Sequence, residues 1–333
     1  MKFGPVPVAE AAGAILAHSM QLPGQKLRKG LMLDADHITA LQAADVTEVT
    51  VARLEATDMH EDAAADALAQ ALVPDPAAAG LSLSKAFTGR VNITAKGPGV
   101  VSLNQRALVA MNAIDPMITL ATVPAYQQMT EGGMVGTVKV ISYGVSTRDV
   151  EKACAVARGA LRLRPPVHKS AALIVTDIPG GAGLKGEQAI ADRLTALGMQ
   201  LVETKLVPHE EAALAKALAA VSADMVLILT ASATSDAYDV APQAVRQAGG
   251  RVERFGMPVD PGNLLFLGEI SNRPVIGLPG CARSPALNGA DWVLSRVVCG
   301  IEVTGQDIAE MGVGGLLKEI PTRPMPRRSK ARG

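Results

Sequence analysis

Between residues 169 and 300 the chain alternates short apolar runs with longer amphipathic ones, and this rhythm limits the fold more than any other feature. The runs Ala171–Thr176, Gln200–Leu206, Asp224–Thr230, Leu264–Ile270 and Val275–Gly277 have strand length and β-branched content. The spacing predicts helices over Glu187–Leu197, Glu210–Val221, Val240–Ala248 and Ala286–Val298. Gly198 and Gly249-Gly250 stand where helix C-caps need a left-handed residue. This order predicts an α/β fold, a mostly parallel sheet with helices on both faces. Right-handed crossovers then gather the parallel strand ends on one edge, where open sheets of this class bind ligands.

The loops that leave those strand ends carry the candidate site. Thr176-Asp177 follows the first strand. Thr230 opens Ala231-Ser232-Ala233-Thr234-Ser235-Asp236-Ala237-Tyr238-Asp239, and Leu278 opens Pro279-Gly280-Cys281-Ala282-Arg283-Ser284. Small residues let a ligand approach the backbone, and a helix N-terminus attracts anions. Asp177, Asp236, Asp239 and Asp260 supply carboxylates, Ser232, Thr234, Ser235 and Ser284 hydroxyls, and Arg283 a guanidinium. Carboxylates beside a phosphate would also suit Mg²⁺, with Asp236 and Asp239 as its ligands. Each residue has a plainer reading. Asp239 fits the N-cap of Val240–Ala248, with Pro242 in the first turn, and Ser284-Pro285 repeats the pattern for the last helix. Asp236 and Asp260 suit turns. Cys281 has no histidine near it in sequence and reads as a small thiol.

Bulk properties exclude several classes. Lysines plus arginines number 32 and so do aspartates plus glutamates, so no bulk charge draws the chain to nucleic acid or membrane surfaces. No apolar run reaches membrane-span length, and Glu10 and His18 interrupt the N-terminal one. Cys154, Cys281 and Cys299 lack C-x-x-C spacing, so neither a zinc site nor a disulfide framework is expected. A cytoplasmic protein is the expectation.

Upstream, residues 1–58 read as a small β-rich module. It has an alanine-rich helix from Val8 to about Ala17, a helix from Asp34 to Ala43 and a strand over Glu48–Leu54. Residues 59–168 read as an α+β domain. Its helices are His60–Leu72 and Thr147 to about Ala160. Its strands are Val91–Ala95 and Val100–Leu103 around a Gly97-Pro98-Gly99 turn, then Met117–Val123 and Met134–Ile141. Arg164-Pro165-Pro166 closes it. Residues 301–333 are read as a C-terminal extension ending in a Pro- and Arg-rich tail, extended or disordered from Pro321 to Arg328.

The blocks Asp224–Asp239, Met257-Pro258-Val259-Asp260-Pro261-Gly262-Asn263 and Gly277-Leu278-Pro279-Gly280 with Ser284 resemble the molybdopterin-binding domain of molybdenum cofactor biosynthesis. Residues 1–58 are similar to the β-rich module that accompanies molybdenum-insertion domains. Gly256–Leu265, Pro279–Pro285 and Met311–Leu317 resemble a subgroup found as the front half of fusions to a molybdenum cofactor nucleotidyltransferase. The resemblance implies a pterin ligand, with Thr234 and Asp239 in the loop that carries catalysis or metal and Gly280 and Ser284 beside phosphate. It also implies a homodimer and a nucleotidyltransferase partner. The departures are specific. Ala231-Ser232 replace two glycines, Thr176-Asp177-Ile178-Pro179 replaces T-G-D-E, and Asp260-Pro261-Gly262-Asn263-Leu264 replaces K-P-G-K-P. Each lost cation weakens an anionic ligand by roughly 1 kcal/mol when screened.

Three functions therefore stand open. The chain binds molybdopterin, or its nucleotide or molybdenum form, and assists molybdate insertion as a transferase. Or it carries mature cofactor to a nucleotidyltransferase or target enzyme without catalysis. Or it is a pterin-independent nucleotide-binding regulator on the same fold.

Overall fold

The computed structural model describes residues 1–317; the expected Pro- and Arg-rich tail lies outside the described residues. Two compact units result. One comprises residues 1–97, 101–125 and 131–163. The other comprises residues 98–100 and 126–130 together with the chain from Arg164 onward.

The first unit is built on small antiparallel sheets. Lys2–Pro7 pairs with Glu48–Arg53, which pairs on its other side with Ile15–Leu16. Val8, Leu16, Leu33, Leu41 and Val51 close a core of their own under this sheet. A four-stranded sheet runs Ile118–Thr122, Met134–Val140, Arg90–Ala95 and Leu81–Leu83. Helices Ala35–Ala43, Glu61–Leu72, Gln105–Asn112 and Thr147–Val156 complete the unit.

Three local expectations are corrected here. The alanine-rich stretch from Val8 forms only a 3-10 turn to Glu10, then becomes strand at Ile15. Pairing with Ala52 and Val51 outweighs its helix propensity, which is worth only tenths of a kcal/mol per residue. The Gly97-Pro98-Gly99 segment does not close a hairpin. Val91–Ala95 pairs with its neighbours in the four-stranded sheet, while Val100 pairs with Gln128 in the second unit. The fourth helix stops at Val156, since Gly159 turns left-handed at φ 67°.

The second unit is the predicted α/β body. Its strands are β1 (Ser170–Asp177), β2 (Gln200–Pro208), β3 (Met225–Leu229), β4 (Arg251–Phe255), β5 (Phe266–Ile270) and β6 (Arg273–Leu278). Its main helices are α1 (Glu187–Ala196), α2 (Glu211–Ala219), α3 (Val240–Gln247) and α4 (Gly289–Val298). The six-stranded sheet runs β2-β1-β3-β6-β5-β4. Strands β2, β1, β3 and β6 are mutually parallel, whereas β5 pairs antiparallel with both β6 and β4. Alternation along β1 sorts the two cores. Ala171, Leu173 and Val175 pack with Ile190, Leu194, Val293 and Leu294 of α1 and α4. Ala172 and Ile174 pack with Leu214, Leu218, Ala244 and Val245 of α2 and α3. Both faces are covered, so the central strands are apolar throughout.

Two further details refine the sequence reading. Strand β4 was not anticipated, because Arg251, Glu253 and Arg254 hide its alternation. Helix α4 begins at Gly289, not near Ser284. Its cap is Asn288, whose Oδ1 accepts from the Ala290 N–H at 2.9 Å while Asp291 Oδ2 accepts from the Asn288 N–H at 2.8 Å. That reciprocal box satisfies two otherwise orphaned donors, which Ser284 and Pro285 cannot do. Ile308 and Met311 join the α1/α4 core, so residues 301–317 pack on this unit. The Cys299 thiol is pushed up to about 11 by burial, and it stays protonated at neutral pH.

Candidate functional site

The parallel strands β2, β1, β3 and β6 end on one rim, and their loops are stitched together there. Thr176, fully buried at the end of β1, accepts the Ala231 N–H on Oγ1 at 3.0 Å. The same oxygen lies 2.8 Å from His209 Nδ1, and His209 Nε2 lies 3.1 Å from Ser232 Oγ. His209 follows β2 directly, its N–H donating to the Asp177 carbonyl at 3.0 Å. Within the β3 loop, Thr230 donates to the Ser232 carbonyl at 2.6 Å and stands 3.4 Å from the hydroxyl of the buried Thr234.

Arg283 closes the rim from the β6 side. Its guanidinium donates to the carbonyls of Gly183, Lys185 and Thr230, bridging the loops after β1 and β3. Burial lowers its pKa, and the Asp177 carboxylate opposes that shift. Asp177 itself accepts the Gly183 N–H at 3.2 Å. Gly186, at φ +97°, lets α1 start against Arg283; a Cβ there would meet the Arg283 Cα at 2.7 Å. The guanidinium thus organises the rim through carbonyls. Gly280 by contrast has open space beside it, where a ligand could meet the backbone.

Thr176, Asp177, Thr230, Ser232, Thr234 and Arg283 are therefore brought together. Asp236 and Asp239 occupy the far end of the same loop. Asp239 Oδ1 accepts from Val240 N–H at 2.7 Å and Oδ2 from Ser235 N–H at 2.9 Å, so it is the α3 cap. Asp236 Oδ1 accepts from Tyr238 N–H at 2.8 Å. Among the described residues, no group of three or more His, Cys, Asp or Glu side chains gathers to hold a metal. Ser235 Oγ turns to the Ala233 carbonyl. Pro279 and Ser284 flank the 3-10 turn Gly280–Arg283, which contains Cys281.

The Asp260–Asn263 block is tied to the start of α4 and to residues 315–317. Asp260 pairs through its backbone with Gly315 and Leu317, Pro261 O accepts from Gly289 N–H at 2.8 Å, and Asn263 O accepts from Met257 N–H at 3.0 Å. Gly262 packs against Gly289. Among the described residues none of these backbone hydrogen bonds reaches the 230–239 loop. The block braces the start of α4.

Sequence reading missed two rim residues. His209 stands beside a proline at the end of a strand and carries no motif; asking which residues end the strands beside β1 would have found it. Arg193 on α1 donates to Asp291 at 2.5 Å and to the carbonyls of Ala282, Ser284 and Ala286. It looked like any charge on a helix face.

The Asp239 cap gives a direct test. Asp239→Ala should cost about 1 kcal/mol in urea unfolding, while Asp239→Asn, which keeps one acceptor but turns an amide NH2 toward the other N–H, should lose an intermediate amount. Equal losses would show that the loop needs both acceptor oxygens of the carboxylate.

Residues 185–296 match the family model described as a probable molybdopterin binding domain. A domain of unknown function matches residues 5–53. No curated protein matches the chain. Among solved structures, the chain is similar to the molybdopterin biosynthesis MoeA protein from Pyrococcus horikosii at 13% identity and TM-score 0.30. That alignment covers 90% of this chain and 75% of the other. It is also similar to a molybdenum cofactor biosynthesis protein from Pyrococcus furiosus at 11% identity and TM-score 0.25, over 91% of this chain and 66% of that one. No helix among the described residues is long and apolar enough to cross a membrane.

Proposed function

We propose, from the premise that this chain contains a probable molybdopterin binding domain, that the rim formed by β2, β1, β3 and β6 binds molybdopterin or its nucleotide or molybdenum form. One observation carries the reading. The matched span 185–296 contains the β3 loop and His209, which meet at a single buried hydroxyl, Thr176, and the Arg283 turn, which joins that loop at the Thr230 carbonyl. A phosphorylated pterin needs hydrogen-bond donors for its phosphate and acceptors for its amino-pyrimidinone edge. Ser232 is a hydroxyl donor within reach, backed by His209, and the open backbone at Gly280 gives room for the ligand. In this reading the protein serves molybdenum cofactor biosynthesis and assists molybdate insertion. Magnesium would enter with the ligand and take much of its coordination from phosphate oxygens.

A second reading, the non-catalytic carrier, has a specific observation in its favour. Asp239 spends both carboxylate oxygens on backbone N–H groups, and Asp236 spends one. Groups so engaged serve loop structure before chemistry. A carrier would hand its cofactor to a nucleotidyltransferase, and a homodimer would suit either role.

The experiment mixes purified protein with molybdopterin, molybdate and Mg²⁺ and follows cofactor formation, with Asp239→Asn alongside. Turnover that disappears in Asp239→Asn, with binding retained, supports insertion. Tight binding without turnover supports the carrier. Failure to bind any pterin removes both.

A further inference from the structure

Thr176, His209 and Ser232 have the spacing of a nucleophile, a base and an orienting group, yet their hydrogens run the other way. Thr176 is fully buried, so bulk water cannot take its hydroxyl hydrogen. Its oxygen already accepts the Ala231 N–H, and the acceptor beside it is His209 Nδ1 at 2.8 Å. A buried hydroxyl donates to the acceptor at hand. Nδ1 is then the acceptor of the neutral ring, and the ring hydrogen sits on Nε2. That hydrogen faces Ser232 Oγ at 3.1 Å. Ser232 is exposed and accepts through its oxygen, which leaves its own hydrogen directed outward.

We propose that Thr176, His209 and Ser232 form a one-way donor chain that ends in the Ser232 hydroxyl and binds an oxyanion, the phosphate monoester end of the ligand. The ligand assignment rests on the reading of this rim as a pterin site; the direction of the chain does not. Each donor polarises the next, so the terminal hydroxyl donates more strongly than an isolated serine. An oxyanion that accepts without donating fits that end. The same hydrogen count removes Ser232 as an activated nucleophile, because an Nε2 that carries hydrogen cannot take the serine proton.

Nitrogen spectra of the full-length protein with labelled histidine read the tautomer without any variant. Hydrogen on Nε2 with a bare Nδ1 is expected at His209; hydrogen on Nδ1 overturns the chain. Inorganic phosphate is then titrated by calorimetry into the wild type, Ser232→Ala, His209→Ala and His209→Gln. Binding should weaken about tenfold in both alanine variants. His209→Gln should recover most of it, since its amide offers an acceptor and a donor in the same order. Wild-type protein that ignores phosphate, or alanine variants that bind it unchanged, would refute the proposal. A misfolded His209→Ala would show in its unfolding midpoint, and Ser232→Ala, at an exposed site, then carries the test. A phosphate-free pterin completes the set. If phosphate behaves as expected while pterins and molybdopterin do not bind, the donor chain stands and the molybdopterin reading alone falls.

Discussion

Gly277→Ala should leave the α/β unit unable to pack its sheet. Gly277 on β6 lies opposite Phe266 on β5. A Cβ at Gly277 would fall 1.9 Å from Phe266 Cε1 and 2.1 Å from Cδ1, well inside any tolerable contact. The ring cannot swing away, because Phe266 is buried among Ile174, Val226, Ile228 and Val275. Overpacking of this kind costs about 3 kcal/mol and sometimes more. Whole domains are stable by only about 5–15 kcal/mol. A large fall in the urea midpoint is expected, or no soluble protein at all. Phe266→Leu in the same chain should restore part of the loss, since the two sites couple directly. An unchanged midpoint in Gly277→Ala would mean that the ring does not lie over the glycine.

Arg193→Ala comes second in expected size, and it reaches the rim as well as stability. Arg193 and Asp291 are both mostly shielded, their side chains 11% and 14% exposed. Removing the guanidinium strands that carboxylate, takes the Arg193 donor from the carbonyls of Ala282 and Ser284, and leaves Ala286 only the Asn288 amide at 3.4 Å. Breaking such a pair costs about 3 kcal/mol. The 280–286 turn should also loosen, so phosphate affinity should fall although Arg193 is not proposed to touch the ligand. Arg193→Lys keeps the charge but loses the planar fork, and an intermediate result is expected. Full stability in Arg193→Lys would show that charge alone holds the turn.

These two residues illustrate what was legible in the sequence. Gly277 stood in a recognisable strand, but its partner Phe266 lies in another strand, and only the register brings them face to face. Arg193 sat on a helix whose limits were readable to within a residue at its C-terminal end, yet nothing local marked it as a staple. The Asp239 cap, by contrast, was readable because capping is a matter of neighbours in sequence. His209 was missed for the opposite reason, its partners Thr176 and Ser232 being 33 and 23 residues away.

The α/β body, the strands β1, β2, β3, β5 and β6 and the small loops at their ends followed from periodicity and turn chemistry alone. These are local properties, set by how each short segment hides its apolar side chains and satisfies its backbone. Only tertiary structure decided that Arg283 would face carbonyls, that Asp260–Asn263 would brace α4, and that a histidine at the end of β2 would stand between two hydroxyls. Such contacts depend on which strand lies beside which. Burial then sets the cost of every unmet hydrogen bond, and no short stretch of sequence carries that information.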